Sequence, residues 1–137
     1  MSVNIEIAYE GQLRCKAIHG PSQCHVLTDA PVDNHGKGEC FSPTDLVATA
    51  LGTCIMTLLG IVADRRGISL DGTTVKVEKH MVSEPVRRIG RLPVDIHLGQ
   101  FIEDKFKDRL VKAADTCPVK QSVHPDIELS INFHWKD

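Results

Sequence analysis

The eighteen residues from Leu46 to Ala63 carry no charged side chain and constrain the fold more than any other stretch of the chain. Just before them, Ser42 offers an N-cap, Pro43 suits the first helical position, and Asp45 adds an acidic group to the first turn. Two arginines and then Gly67 follow the run and supply a helix stop. The pattern predicts one long helix that ends just before Gly67. Because this helix is apolar nearly all round, other elements must cover most of its sides.

An uncharged run of this length also meets the minimum for a membrane-spanning helix. Three threonines, two glycines and a cysteine dilute its apolar character, however, and charged residues close it at both ends. The remaining sequence alternates in the manner of a soluble protein, so we expect a core helix and no membrane partner. The segment Met1–Glu10 lacks a basic stretch followed by an apolar one, which predicts no secretory signal and a cytoplasmic location.

The chain has 137 residues, of which 42% are hydrophobic and 25% charged, with a formal net charge of -2. This length and balance are typical of one soluble globular domain, here residues 1–137. Binding to nucleic acid requires clustered lysines and arginines, and the slightly acidic chain lacks such a cluster. We therefore expect no nucleic-acid partner.

Runs in which apolar and polar residues alternate predict strands, and apolar residues at helical spacing predict helices. Together they give the order of these elements along the chain. The first three runs predict an antiparallel meander and precede the long helix; they are Val3–Tyr9, Leu13–Ile18 and Gln23–Thr28. After the helix the pattern predicts two strands, an amphipathic helix, a short helix and a closing strand, over Thr74–Met81, Ile89–Leu98, Glu103–Thr116, Pro118–Ser122 and Ile127–Trp135. Strands and helices in this order favour an α+β fold over an alternating βαβ arrangement.

Five cysteines are an odd number, and no two of them form a C-x-x-C pair, so we expect reduced thiols. Cys54 lies in the middle of the long helix. A thiol in apolar surroundings has a raised pKa and is inert unless a cation faces it. Arg14, Arg87 and Arg88 are the candidate cations, and the alternative is that Cys54 only fills space in the core.

Cys117 directly precedes Pro118 at a predicted helix start, where backbone N–H groups stabilise a thiolate. The alternative is a boundary residue selected for its size. The other cysteines, Cys15, Cys24 and Cys40, have no assigned role. Cys24 and Cys40 lie near two histidines in the sequence, yet the cluster lacks the repeated ligand pairs of a zinc site, so we expect no metal.

Three segments together resemble the OsmC/Ohr family of thiol-dependent hydroperoxide reductases. They are Phe41–Leu46 (FSPTDL), Ala50–Cys54 (ALGTC) and Ala113–Val119 (AADTCPV). The resemblance extends over most of the chain, and two cysteines in their proper local settings, 63 positions apart, make it specific. It implies an OsmC-like fold with antiparallel sheets around a long central helix, and an intertwined homodimer.

The resemblance also implies a mechanism that uses no cofactor. Cys54 would be the peroxidatic cysteine that reduces an organic hydroperoxide to an alcohol, and Cys117 the resolving cysteine that forms a disulfide with it. Arg14, in the N-terminal strand region, would lower the pKa of the Cys54 thiol. The reductant would be a dithiol, such as a lipoylated protein, and the role would be defence against oxidative stress.

The chain departs from the family pattern at the start of the central helix. Well-studied members carry Pro-Glu there, with the glutamate orienting the arginine, whereas Thr44 follows Pro43 here and the nearest carboxylate is Asp45. A step of one residue turns a side chain by roughly 100° about a helix axis. We therefore name Asp45 as the candidate carboxylate of the site, within the broader OsmC-like branch. The alternative function is a non-catalytic dimer that binds a small apolar ligand at its subunit interface.

Overall fold

The computed structural model describes all 137 residues, which form two compact units, residues 1–46 and 47–137. The first unit contains three strands, β1 (Ile5–Gly11), β2 (Arg14–His19) and β3 (His25–Asp29). They form an antiparallel sheet in the order β1-β2-β3, so the predicted meander is confirmed. A 3-10 turn over Val32–Asn34 then lies in the loop that leads to the long helix.

The long helix α1 spans Pro43–Arg66, as predicted, and both of its ends are capped. At the start, the Ser42 hydroxyl accepts the N–H of Asp45 at 3.1 Å while the Asp45 carboxylate accepts the N–H of Ser42 at 2.9 Å. This reciprocal pair is a capping box. At the end, Gly67 has a φ of 66° and the N–H of Ile68 donates to the carbonyl of Ala63 at 2.9 Å, which closes a Schellman motif.

The second unit is built on a long strand, β6 (Arg88–Phe101), with β4 (Thr74–Val77) and β5 (His80–Val82) paired antiparallel to it. The predicted single strand Thr74–Met81 is therefore two strands. The break coincides with Pro93 in β6, whose carbonyl accepts the N–H of Glu78 at 3.1 Å. Proline has no N–H to return the bond, and the ladder is interrupted there.

After β6 come the helices α2 (Asp104–Asp115) and α3 (Pro118–Ser122) and the strand β7 (Glu128–Lys136). The predicted α+β class is confirmed, with one correction to the strand directions. β7 pairs parallel with β6, so the second sheet is mixed and not wholly antiparallel. The connection through α2 and α3 returns the chain to the end of the sheet at which β6 began, and such helical crossovers join parallel strands.

One face of α1 packs into the core of the second unit. The fully buried leucines and isoleucines of that face are Leu51, Ile55 and Leu59. Gly52 lies against β4 so closely that a Cβ there would come within 2.9 Å of the Val77 side chain.

By length and composition α1 is also apolar enough to cross a membrane. The core helix of a soluble protein passes the same test.

Candidate active site

Cys54 lies in the middle of α1, on the flank of the face that packs into the core, and it is half-buried. Its neighbours one turn away are Ala50 and Leu58, which are half-buried as well, while Thr57 and Ile61 are exposed. The residues of α1 are themselves apolar on nearly all of its sides, so the sequence could not distinguish the face that packs into the core from this flank. Cys54 therefore combines an apolar setting with partial exposure of the residue.

Cys117 is the N-cap residue of α3 and is completely buried within the core of the second unit. Pro118 occupies the first helical position, as predicted. The Sγ of Cys117 accepts the backbone N–H of Lys120 at 3.4 Å. The second cysteine is thus held in one orientation by the first turn of a helix.

The structure brings the side chains of Cys54 and Cys117 into hydrogen-bonding contact, and both cysteines are free thiols. Burial raises the pKa of the Cys117 thiol, and the hydrogen bond with Cys54 raises it further, against the opposing effect of the N–H groups of Lys120 and Val119. Cys117 is therefore a protonated thiol at neutral pH. Two thiols in contact, one of them partly accessible, are the arrangement from which a disulfide forms on two-electron oxidation.

Arg14 lies in the first unit, at the start of β2, and two carboxylates hold its guanidinium. Its Nη2 lies 2.7 Å from the Oε2 of Glu39 and 3.5 Å from the Oδ2 of Asp29, its cross-strand partner on β3. The hydrogen bond with Glu39 is the largest contribution that raises the pKa of Arg14. The charge of Cys40 acts in the same direction, so a third cysteine lies near this cation.

Asp29 is the buried member of this cluster, with a residual exposure of 1%. Its Oδ2 accepts the backbone N–H of Glu39 at 3.1 Å, and this bond is the main reason that the pKa of Asp29 is lowered. The charge of Arg14 and the N–H groups of Ala30 and Lys37 lower it further, against the effect of burial. Asp29 stays ionised and fixes both the loop before α1 and the arginine.

Sequence reasoning missed Asp29 and Glu39 as the partners of Arg14. The pairing of Arg14 with Asp29 follows from the register of the β2–β3 hairpin, which an exact turn assignment would have given. Glu39 lies in an aperiodic loop, and no sequence pattern marks it. Asp45, the carboxylate singled out from the sequence, lies in the capping box of α1, and the Thr44 hydroxyl contacts that of Ser42 at 3.2 Å.

Two histidines and an aspartate lie together on the second sheet. His97 and His134 stack at 4.3 Å between ring centroids, and His134 lies 2.9 Å from Asp95. No group of three or more histidine, cysteine, aspartate or glutamate side chains is arranged to hold a metal ion.

Comparisons with known proteins show the family and the fold. The family described as OsmC-like protein matches residues 36–132, which include both cysteines of the pair. A solved structure from Psychrobacter arcticus 273-4, described as an osmotic stress induced and detoxification response protein, is 45% identical, with a TM-score of 0.90 over 95% of this chain and 94% of that one. No curated protein matches the chain.

More distant structures share the fold. An organic hydroperoxide resistance protein OsmC from Legionella pneumophila superimposes with a TM-score of 0.76 at 15% identity, over 97% of this chain and 96% of that one. The organic hydroperoxide resistance protein OhrB of Bacillus subtilis does so with a TM-score of 0.70 at 14% identity, over 98% of each chain. Because the family match covers more than half of the sequence and takes in the cysteine pair, the chain belongs to the OsmC/Ohr family.

Proposed function

We propose that the protein reduces organic hydroperoxides to alcohols, with Cys54 as the peroxidatic and Cys117 as the resolving cysteine. The observation that carries this proposal is the contact between the two free thiols, one half-buried and the other wholly buried. Family membership adds support, since relatives of the same fold are named for hydroperoxide resistance.

The chemistry proceeds in two steps. The Cys54 thiolate attacks the distal oxygen of the peroxide, the O–O bond breaks, and the alkoxide takes a proton and leaves as the alcohol. Cys54 is then a sulfenic acid, the first stage of cysteine oxidation. Cys117 attacks that sulfur, and its proton leaves with the hydroxyl group as water. The product is a Cys54–Cys117 disulfide, so one peroxide consumes two thiols.

The attacking species is a thiolate, so a cation must favour ionisation of Cys54. We propose Arg14 for this role and Asp45 as the carboxylate of the site. Asp29 and Glu39 fix the guanidinium of Arg14 within its own unit.

We further propose that the protein is a homodimer. Only 33% of the 18-residue apolar window of α1 is buried within the chain. In the first unit, one face of the sheet leaves Ile5, Ile7 and Tyr9 between 59% and 68% exposed. Apolar area of this extent on a soluble protein marks an association surface.

The direct test is a titration of the reduced protein with cumene hydroperoxide, followed by a count of free thiols. We expect the loss of two thiols per equivalent and the release of cumyl alcohol. Unchanged thiols after several equivalents would exclude the proposed reaction and favour a binding role for the dimer.

A further inference from the structure

The thiol of Cys117 takes part in two hydrogen bonds, one as acceptor and one as donor. As an acceptor, its Sγ receives the backbone N–H of Lys120 at 3.4 Å. As a donor, its S–H group has the sulfur of Cys54 in hydrogen-bonding contact. Cys117 is completely buried in the core, so bulk water does not compete for either bond. The thiol therefore links the first turn of α3 to the middle of α1.

The direction of the bond between the two sulfurs follows from its effect on Cys117. Burial raises the pKa of the Cys117 thiol, and the bond with Cys54 raises it further. A hydrogen bond raises the pKa of a thiol when that thiol is the donor, because ionisation removes the shared hydrogen. Cys117 is therefore the donor and Cys54 the acceptor. A sulfur accepts most strongly when it carries the charge of a thiolate.

We infer that Cys117 has a second role, in which its S–H group donates a hydrogen bond to the thiolate of Cys54 and stabilises the attacking form of the nucleophile. The contact acts directly on the reacting sulfur and adds to the effect of the proposed cation. The N–H of Lys120 draws electron density from the Cys117 sulfur, which makes its S–H group a stronger donor. This inference rests on the proposed function only in taking Cys54 as the nucleophile.

The helices that carry the two sulfurs contain few ionisable side chains close to them. On α1, Cys54 is the only titratable residue between Asp45 and Asp64. On α3, Lys120 is the only charged side chain, and its Nζ pairs with Asp115 at 2.9 Å. A neutral donor in direct contact with the sulfur of Cys54 can therefore contribute appreciably to the stability of its thiolate.

The same bond orders the two steps of the reaction. While Cys54 is a thiolate, ionisation of Cys117 would place two negative charges in contact, which the low dielectric of the core opposes. After oxygen transfer, Cys54 is a neutral sulfenic acid and this repulsion is gone. The N–H groups of Lys120 and Val119 then favour the Cys117 thiolate as it attacks, and its proton leaves with the hydroxyl group as water.

The test compares Cys117→Ser with Cys117→Ala in the full chain, with Cys15, Cys24 and Cys40 replaced by serine. Serine keeps a hydroxyl donor that stays protonated, whereas alanine has no donor. The NMR shift of 13C-labelled Cβ in Cys54 reports the fraction of thiolate, whether or not a second chain covers α1. At equal pH we expect a thiolate-to-thiol ratio about threefold or more lower in Cys117→Ala than in Cys117→Ser. The parent with Cys117 present should also exceed the alanine variant.

Either of two results would overturn the inference: equal ratios in Cys117→Ser and Cys117→Ala, or a parent equal to Cys117→Ala. A reciprocal measurement decides the question if Cys117→Ala does not fold. Coupling between two ionisations acts on both groups. The pKa of Cys117 should therefore be lower in Cys54→Ala than in the parent, because the bond and the charge that raise it are gone.

The control for this reciprocal measurement is Thr57→Ala, which removes an exposed polar group one turn from Cys54 and should leave the pKa of Cys117 as in the parent. An unchanged pKa of Cys117 in Cys54→Ala would contradict the inference. Because neither measurement uses peroxide, failure of the proposed reaction is detected separately by the hydroperoxide titration.

Discussion

Cys54 and Cys117 are hydrogen-bonded to each other although 63 positions separate them in the sequence. The contact exists because the middle of α1 and the first turn of α3 pack in one core. A disulfide requires Cα atoms within about 7 Å, and side chains already in hydrogen-bonding contact need little movement to reach that geometry. The pair is therefore prepared for closure in its reduced state.

We predict opposite outcomes for the two single-cysteine variants. Cys54→Ser should lose all reaction with organic hydroperoxide, because Cys117 is buried and protonated. Cys117→Ser should still reduce one equivalent and then be oxidised by excess peroxide to sulfinic acid, because no thiol traps the sulfenic acid. Alcohol release and intact protein mass measure both outcomes.

The control is a triple variant with serine at Cys15, Cys24 and Cys40, which should keep the wild-type stoichiometry. Peptide mapping of the oxidised wild type should find the Cys54–Cys117 link. A link from Cys54 to one of the other three cysteines, or full activity of Cys54→Ser, would place the chemistry elsewhere.

Replacement of Arg14 should alter the ionisation of Cys54. We expect Arg14→Ala to slow the alkylation of Cys54 at pH 7, because the thiolate is the reactive form and the proposed cation that favours it is gone. Arg14→Lys should retain part of the effect, since it keeps the charge but not the forked geometry. The measurement is the rate of Cys54 alkylation from pH 5 to 10, with Arg87→Ala and Arg88→Ala for comparison. An unchanged profile in Arg14→Ala would remove Arg14 from the mechanism.

The sequence predicted most elements of the fold because each has a local signal. Ser42, Pro43 and Gly67 mark the ends of α1, and the Cys117-Pro118 step marks α3. The parallel direction of β7 has no local signal, since it depends on how the chain crosses back over the sheet. Glu39, one of the two partners of Arg14, has no local signal either, because it lies in an irregular loop and its ion pair depends on tertiary structure.

The lowered pKa of Asp29 predicts a stability that depends on pH. A carboxyl whose pKa is lower in the folded state stabilises the fold at pH values above its unfolded pKa of about 3.9, and this contribution is lost as the pH falls through the folded pKa. Asp29→Asn should therefore be less stable than the wild type at pH 7, with a difference that shrinks below about pH 4. Urea unfolding from pH 7 to pH 2 measures this difference. Asp64→Asn, at an exposed position, is the control and should follow the wild type.

The same cluster predicts a structural cost for Arg14→Ala. Asp29 is 1% exposed, and its Oδ1 already has no hydrogen-bond partner. Removal of the guanidinium leaves this buried carboxylate with backbone donors alone, so Arg14→Ala should unfold at lower urea concentration than the wild type. The double variant Arg14→Ala/Asp29→Asn should recover part of the loss, because the buried charge is gone. No recovery would show that Arg14 and Asp29 stabilise the fold independently.

The capping box of α1 separates two possible roles of Asp45. Ser42→Ala and Asp45→Ala should each lower the free energy of unfolding by about 0.5–2 kcal/mol, because each removes one bond of the reciprocal pair. If Asp45 also belongs to the active site, Asp45→Ala should slow the reaction of Cys54 with peroxide more than Ser42→Ala does. Equal rates in the two variants would leave Asp45 with the capping role alone.

The exposed apolar face of the first sheet predicts association of two chains. Ile7 is 68% exposed at the centre of β1, while Glu6 lies on the opposite face of the same strand. We expect a dimeric mass by light scattering at micromolar concentration. Ile7→Asp should shift the mass toward that of the monomer, because a charge at the centre of an apolar contact costs its desolvation. Glu6→Gln is the matched control and should remain dimeric. A monomeric wild type, or equal masses for Ile7→Asp and Glu6→Gln, would show that this face is not the surface through which the chains associate.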